Sequence, residues 1–161
     1  MAENPGPESQ EKQAWVAALR FLAATPKSRR DLFTKLCAKG FSEEVANQTL
    51  DGLEQKGLLS DKVFAKDLVA RYTQGKPSGS RRIGFELQRR GIPPKVREEI
   101  LSGMDPAEEK ERARELSRAK LEQFKNLEPQ KRKKRVFDFL LRRGFNFETV
   151  REVMEENESN Q

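Results

Sequence analysis

Apolar side chains return every three or four residues along almost the whole chain. Representative sets are Trp15, Leu19 and Leu22, then Phe64, Leu68 and Tyr72, and finally Phe147, Val150 and Met154. This spacing puts each set on one face of an α-helix. A half-buried β-strand would instead alternate apolar and polar residues, and no sustained alternation of that kind occurs. The pattern predicts an all-α protein built from amphipathic helices.

Helix-start signals divide this pattern into short segments. Ser28 precedes Asp31 at the spacing of an N-cap serine and an acidic third helical residue. Asp105, Pro106 and Glu108 combine a cap, a first-turn proline and a carboxylate that can reach back to the cap. Several short helices are therefore predicted rather than a few long ones.

Three glycines mark an internal repeat. Gly40, Gly91 and Gly144 lie 51 and 53 residues apart. Their surroundings match in register: eight residues before stand Leu32, Ile83 and Val136; four before stand Leu36, Leu87 and Leu140; directly before stand Lys39, Arg90 and Arg143; and directly after stand Phe41, Ile92 and Phe145. A base, a glycine and an apolar residue in succession are typical of a helix C-terminus. A period near fifty residues indicates tandem units that pack on their neighbours.

Each repeat is predicted to contain three helices: one that ends at the repeat glycine, one before it and one after it. The predicted divisions are a disordered tail at 1–13, repeats at 14–60, 61–104 and 105–156, and a second disordered tail at 157–161.

The composition removes several kinds of chemistry. One cysteine and no histidine allow no internal disulfide, no ordinary structural zinc site and no Cys–His nucleophile pair. Residues 75–80 lack the Gly-Lys-Ser/Thr ending of a phosphate-binding loop. We expect no catalytic residue, no metal, no cofactor and no enzyme activity. No apolar run approaches the ~18 residues of a membrane span, and the N-terminal stretch does not resemble a secretory signal, so a cytoplasmic location without membrane contact is expected.

Positive charge is concentrated in the middle and late parts of the chain. The net charge is +6, and residues 61–103 hold ten basic and five acidic side chains. The candidates for contact with DNA phosphate or an acidic protein surface are Arg71, Lys76, Arg81, Arg82, Arg89, Arg90, Lys131, Arg132, Lys133, Lys134, Arg135, Arg142 and Arg143. A solvated helix face or a helix cap is the ordinary role of any single base, whereas the run at 131–135 favours a functional contact. If the glycine motif has a role beyond capping, it is expected in Arg89–Arg90 and Arg142–Arg143, the pairs before Gly91 and Gly144.

Four segments resemble the RecX family of regulatory proteins. The stretch "GSRRIGFELQRRGI" has the family's spacing at Gly79, Arg82, Ile83, Glu86, Leu87, Arg90, Gly91 and Ile92. "SRRDLFTKLCAKGF" is similar to the first-repeat segment at Ser28, Asp31, Leu32, Leu36, Lys39 and Gly40, and "FLLRRGF" to the end of the third. "GLLSDKVFAKDLV" resembles the link between the first two repeats, although Ser60 replaces one of two customary acids and leaves Asp61 alone. The resemblance covers roughly residues 14–156.

The resemblance implies a fold and a function. The implied fold is all-α, with three tandem three-helix repeats forming an elongated, curved array. The implied protein is a cytoplasmic bacterial regulator that binds the RecA–DNA nucleoprotein filament. It would inhibit filament growth, ATP hydrolysis, strand exchange and repressor cleavage, and so modulate recombination, DNA repair and the SOS response. The implied partners are the RecA filament and DNA, single-stranded and also double-stranded, through phosphate contacts.

Two other functions are compatible with the residues. Short helices with a basic helix also resemble helix-turn-helix DNA readers, so a sequence-specific repressor is one alternative. Unequal charge among the repeats and the lack of an evident dimerisation helix argue against it and favour a monomer. The other alternative is an RNA-binding or assembly adaptor that uses the concave surface.

Overall fold

The structure, a computed structural model, describes residues 6–160, and every regular element in this part of the chain is helical. The elements are α1 (Pro7–Ala24), α2 (Arg29–Ala38), α3 (Glu43–Gln55), α4 (Asp61–Ala70), α5 (Ser80–Arg89), α6 (Pro94–Ser102), α7 (Pro106–Gln123), α8 (Pro129–Arg142) and α9 (Phe147–Ser159). One π-helical turn, Arg71–Gly75, continues α4. The all-α prediction is confirmed.

Side-chain caps start most of these helices. Ser28, Ser42 and Ser60 each accept a hydrogen bond from the backbone N–H three residues later, at 3.2 Å. Asn146 does the same for Thr149 at 2.8 Å. These bonds satisfy amides that have no partner within the helix, and they fix where each helix begins.

The helices group in threes, and each group has its own core. The first unit is α1–α3, the second is α4–α6 and the third is α7–α9. The helix pairs in extensive contact all belong to the same unit. The repeat positions predicted to be apolar lie at the centre of these cores: Leu32, Leu36, Ile83, Leu87, Val136 and Leu140 are all fully buried. The spacing around the three glycines is matched because each unit packs the same helix positions into its own core.

The units form an open array rather than one globule. The accessible surface is 10449 Å², whereas a compact monomer of this mass is expected to expose about 8,200 Å². Because each core is small and closed within its own unit, the contacts that hold the units in a row come from a few residues at their junctions.

Both chain ends are more helical than the predicted tails. Helix α1 begins at Pro7, so residues 7–13 of the predicted N-terminal tail are helical. The helix begins there because Pro7 takes the first helical position and Glu8 lies in the first turn, where the helix dipole favours an acid. Helix α9 continues to Ser159. Of the predicted tail residues, 1–5 and 161 lie outside the described residues.

None of the helices between residues 6 and 160 combines the length and apolar character that crossing a bilayer requires.

Glu156 connects α9 to α7 in the third unit. Its carboxylate lies 2.9 Å from Arg114 Nε and 2.9 Å from Lys110 Nζ. Hydrogen bonds from Arg114 and Lys110 lower the pKa of Glu156 to about 2. A carboxylate with a lowered pKa stabilises the folded state above its ordinary pKa of 4.5, and this contribution is lost as the pH falls toward 2.

We expect Glu156→Gln to lower the free energy of unfolding at pH 7 by less than about 1 kcal/mol, because the groups it pairs with are partly exposed to solvent. The difference from the wild type should shrink between pH 4.5 and pH 2. Urea unfolding at several pH values measures it. Glu115→Gln is the matched control, since Glu115 is exposed on α7 and makes no ion pair within residues 6–160. A deficit that stays constant down to pH 2 would contradict the assignment.

Candidate functional site

The three repeat glycines end the middle helix of each unit. Gly40, Gly91 and Gly144 have φ of 103°, 74° and 85°, a left-handed conformation that a side chain disfavours. In each turn the N–H of the next residue bonds to a carbonyl five residues back, as in Phe41 to Leu36 at 3.2 Å. These are Schellman turns, so the glycines are helix caps.

The Gly91 turn also holds the first and second units together. Ser28 Oγ, at the start of α2, donates to the Arg90 carbonyl oxygen at 2.6 Å. Arg90 Nη1 lies 2.6 Å from Asp31 Oδ2, and the Arg30 guanidinium donates to the Arg89 carbonyl oxygen. The N-terminus of α2 therefore lies against the C-terminus of α5.

A second group of hydrogen bonds lies at the same junction between the first and second units. Asp61 Oδ1 accepts from the Arg29 N–H at 2.8 Å, and burial raises the pKa of Asp61. Ser60, which stands where an acid is customary, caps α4 by accepting from the Val63 N–H. Both residues of the link between the first two units thus have structural partners.

The Gly144 turn repeats this docking one unit later. The Gly79 N–H donates to the Arg143 carbonyl oxygen at 2.9 Å, and the Arg81 N–H donates to the Gly144 carbonyl oxygen at 3.2 Å. Arg143 Nε also donates to the Pro77 carbonyl oxygen at 3.0 Å. The middle helices α8, α5 and α2 consequently join end to end, and we call this series the helix column.

The paired arginines before Gly91 and Gly144 divide into two roles. The inner residues, Arg90 and Arg143, are half-buried in the junctions and lie over the rings of Phe64 and Phe139. The outer residues, Arg89 and Arg142, are exposed. A partner could therefore reach the outer arginine of each pair, while the inner one is engaged between units.

Several other candidates also have side-chain or backbone partners within the structure. Arg82 pairs with Glu86 at 3.8 Å, and Arg89 pairs with it at 2.9 Å. Arg132 Nε donates to the Leu121 carbonyl oxygen at 2.8 Å, and Lys133 pairs with Glu158 at 2.8 Å. Arg135 lies over the Phe124 ring.

Six candidates are exposed and form no side-chain hydrogen bond or ion pair with any residue between 6 and 160. They are Arg71, Lys76, Arg81, Lys131, Lys134 and Arg142, and we call them the unpaired bases. Arg71 and Lys76 line an open concave region of 760 Å³ around the π-helical turn, together with Tyr72.

The junction of the second and third units brings together bases that are far apart in sequence. Arg81 bonds through its backbone to Gly144, only two residues beyond Arg142. Arg82 packs against the same glycine, because a Cβ added at Gly144 would lie 2.3 Å from Arg82 Cβ. Arg81 and Arg82 of the second unit thus lie close to the arginine pair Arg142–Arg143 of the third. The run at 131–135 lies toward the opposite end of α8.

Phe85 was missed as a candidate. Its side chain is 63% exposed on α5, one turn after Arg81 and one turn before Arg89, so the three residues share a face. The signal was present in the sequence, since Thr34 and Asp138 occupy the corresponding positions of the other two repeats. An aromatic ring between bases is the arrangement with which proteins bind single-stranded nucleic acid.

No group of three residues capable of holding a metal ion occurs in the described part of the chain. The candidates present cationic side chains, which suit phosphate or carboxylate groups, and on α5 the exposed Phe85 ring lies among them.

Three RecX family models match the chain in order. The first three-helix domain matches residues 14–53, the second 60–101 and the third 107–154. Regulatory protein RecX of Chlorobium phaeobacteroides (strain BS1) is 33% identical over 149 residues, which are 92% of this chain and 96% of the relative. Regulatory protein RecX of Mycobacterium leprae (strain Br4923) is 34% identical over 151 residues, with 93% and 88% covered. The crystal structure of RecX from Lactobacillus salivarius has a similar fold, with a TM-score of 0.82 at 19% identity and 91% and 96% coverage.

Proposed function

This chain belongs to the RecX family of regulatory proteins, and on that basis we propose that it binds the RecA–DNA filament and inhibits it. Inhibition would extend to filament growth, ATP hydrolysis, strand exchange and stimulation of repressor cleavage. We propose that it acts as a cytoplasmic monomer, without catalytic chemistry of its own, in recombination, DNA repair and the SOS response.

The observation that supports this proposal most is the placement of the unpaired bases along an open array. They lie on the second and third units, where the helix column presents α5 and α8 one after the other. Helices α2, α5 and α8 contain 10, 10 and 14 residues, which amounts to about 50 Å of helix at 1.5 Å per residue. We propose that bases spread over two units of this open array contact more than one subunit of a filament.

This geometry suggests how binding would inhibit the filament. A protein that binds two neighbouring subunits at once opposes any movement that changes their spacing. ATP turnover and subunit addition both need such movement, so both should slow. The bases would supply the attraction to DNA phosphate or to acidic side chains of the recombinase.

Titration into preformed RecA filaments tests the proposal. We expect the DNA-dependent ATPase rate to decay at stoichiometric protein, and the decay to weaken at higher salt. Comparing circular with linear single-stranded DNA separates binding along the filament from action at its ends. Unchanged ATPase and strand exchange at a stoichiometric excess would overturn the proposal.

We further expect Phe85→Ala to weaken binding to single-stranded DNA roughly tenfold, since stacking of one base on an aromatic ring is worth about 1–3 kcal/mol. Stability should change by less than about 0.5 kcal/mol, because the ring is mostly exposed. Fluorescence anisotropy with a labelled oligothymidine measures the affinity. Leu58→Ala removes a similarly exposed apolar side chain away from the bases and should leave binding unaltered. Equal binding by both variants would remove Phe85 from the interface.

A further inference from the structure

The Gly40 turn, which ends α2 in the first unit, has the same construction as the two junction turns but is unoccupied by any residue between 6 and 160. Ala38, Lys39 and Gly40 are exposed, and their carbonyl oxygens accept no hydrogen bond from the described residues. A Cβ added at Gly40 would meet no atom within 4 Å, whereas one at Gly91 or Gly144 would collide with the preceding unit.

The Gly91 junction shows what such a turn binds. Ser28 caps α2 and at the same time donates its hydroxyl hydrogen to the Arg90 carbonyl oxygen. Asp31, at the third helical position, pairs with the Arg90 side chain. One helix start thus satisfies both the free carbonyl and the positive charge of the residue before the glycine.

The Gly40 turn offers matching groups. Lys39 occupies the position of Arg90, directly before the glycine, and its Nζ lies 5.7 Å from the centre of the Phe21 ring, much as Arg90 lies over the Phe64 ring. Its side chain is exposed and its carbonyl oxygen accepts no hydrogen bond from residues 6–160. A groove of 420 Å³ adjoins the turn and is lined by Lys12, Val16, Arg20 and Phe41 among others. Val16 is 48% exposed there, so the groove has an apolar wall with basic residues around it.

We propose that the Gly40 turn is a docking site for the start of a helix in a partner protein, one with serine or threonine at the N-cap and an acidic third helical residue. The hydroxyl would donate to the Lys39 carbonyl oxygen, and the acid would pair with Lys39 Nζ. The basic groove would favour further acids in the first turn, where helices already prefer them. The proposal is independent of filament inhibition, because its test contains neither RecA nor DNA.

A second copy of this chain is a poor occupant. The free start of its helix column is that of α8, whose N-cap is Glu128 with no side-chain cap bond. Its third helical residue is Lys131, which would repel Lys39. Charge therefore favours a different protein over head-to-tail assembly of this one.

A peptide titration followed by nuclear magnetic resonance tests the site. The probe is a synthetic peptide with the sequence of residues 26–38, which includes Ser28 and Asp31, carrying the substitutions Arg29→Glu, Arg30→Glu and Cys37→Ser. Added to the full-length ¹⁵N-labelled protein, it should shift the amide signals of Lys39, Gly40 and Phe41 in a saturable manner. A control peptide with Ser28→Ala and Asp31→Lys keeps the same apolar residues and should not shift them.

Exchanging the charges of Lys39 in the protein and Asp31 in the peptide tests whether these two groups pair. Lys39→Glu in the protein should weaken the probe about fivefold, the upper range for one exposed ion pair. A peptide with Asp31→Lys alone should recover affinity for that variant and not for the wild type. Absence of saturable shifts at the turn, or equal shifts from the control peptide, would overturn the proposal. Concentration-dependent shifts without any peptide would assign the turn to a second copy and would also overturn it.

Discussion

Replacing Gly79 with alanine is expected to open the junction between the second and third units. Gly79 has φ of −84°, which alanine adopts without strain. The added Cβ would lie 2.2 Å from the Gly144 carbonyl oxygen and 2.4 Å from Phe145 N. Both are backbone atoms of the third unit that cannot move aside. Either the variant keeps the junction and its steric clash, or the units separate and the two hydrogen bonds across the junction are lost. In both cases we expect the free energy of unfolding to fall by about 3 kcal/mol.

Two measurements separate this effect from ordinary destabilisation. Urea unfolding gives the stability, and small-angle X-ray scattering should show a larger radius of gyration as the third unit detaches. Gly75→Ala is the matched control, because it lies four residues earlier without positive φ and with open space around it. A Gly79→Ala protein with the stability and scattering of the control would show that the junction does not hold the units together.

Reversing the charge of Lys131 and Lys134 is expected to weaken DNA binding about tenfold or more at low salt. Both side chains are exposed and unpaired within residues 6–160, unlike Lys133, which pairs with Glu158. Each phosphate contact contributes about −0.7 to the slope of log affinity against log salt for a single strand. Losing two contacts should therefore reduce the magnitude of that slope by about 1.4.

The same variant should fold at least as well as the wild type. Lys131 lies in the first turn of α8, where the positive end of the helix dipole disfavours a base by about 0.3–1 kcal/mol. Glutamate there should raise the melting temperature slightly. The control is Lys35→Glu with Lys56→Glu, which changes the net charge equally on the first unit. If the control reduced the salt slope as much as the variant, binding would depend on net charge and not on this cluster.

The sequence predicts this fold because its determinants are local. Apolar spacing, Ser and Asp caps and glycine C-termini are each decided within a few residues, so the helices and the matched cores of Leu36, Leu87 and Leu140 follow directly. Residues 7–13 are helical where the sequence predicts a disordered tail, because their polar composition obscures the start signal at Pro7.

The junctions could not be predicted in this way. They depend on pairs such as Ser28 with Arg90, which are 62 residues apart and are brought together by the packing of one unit on the next. For the same reason, the sequence "RRG" does not indicate which arginine is engaged. That depends on the side from which the neighbouring unit approaches. Only Phe85 could have been found beforehand, by comparing the residues that stand six positions before the repeat glycines.

The two ends of the helix column differ in charge. Because α8, α5 and α2 are joined C-terminus to N-terminus, the opposite partial charges of the helix ends offset each other at both junctions, which leaves the positive end of α8 and the negative end of α2, at the Gly40 turn, without such a partner among residues 6–160. The run at 131–135 adds to the positive end of α8. In the field of a polyanion such a molecule turns before contact, so it should arrive with its third unit in front and its first unit trailing.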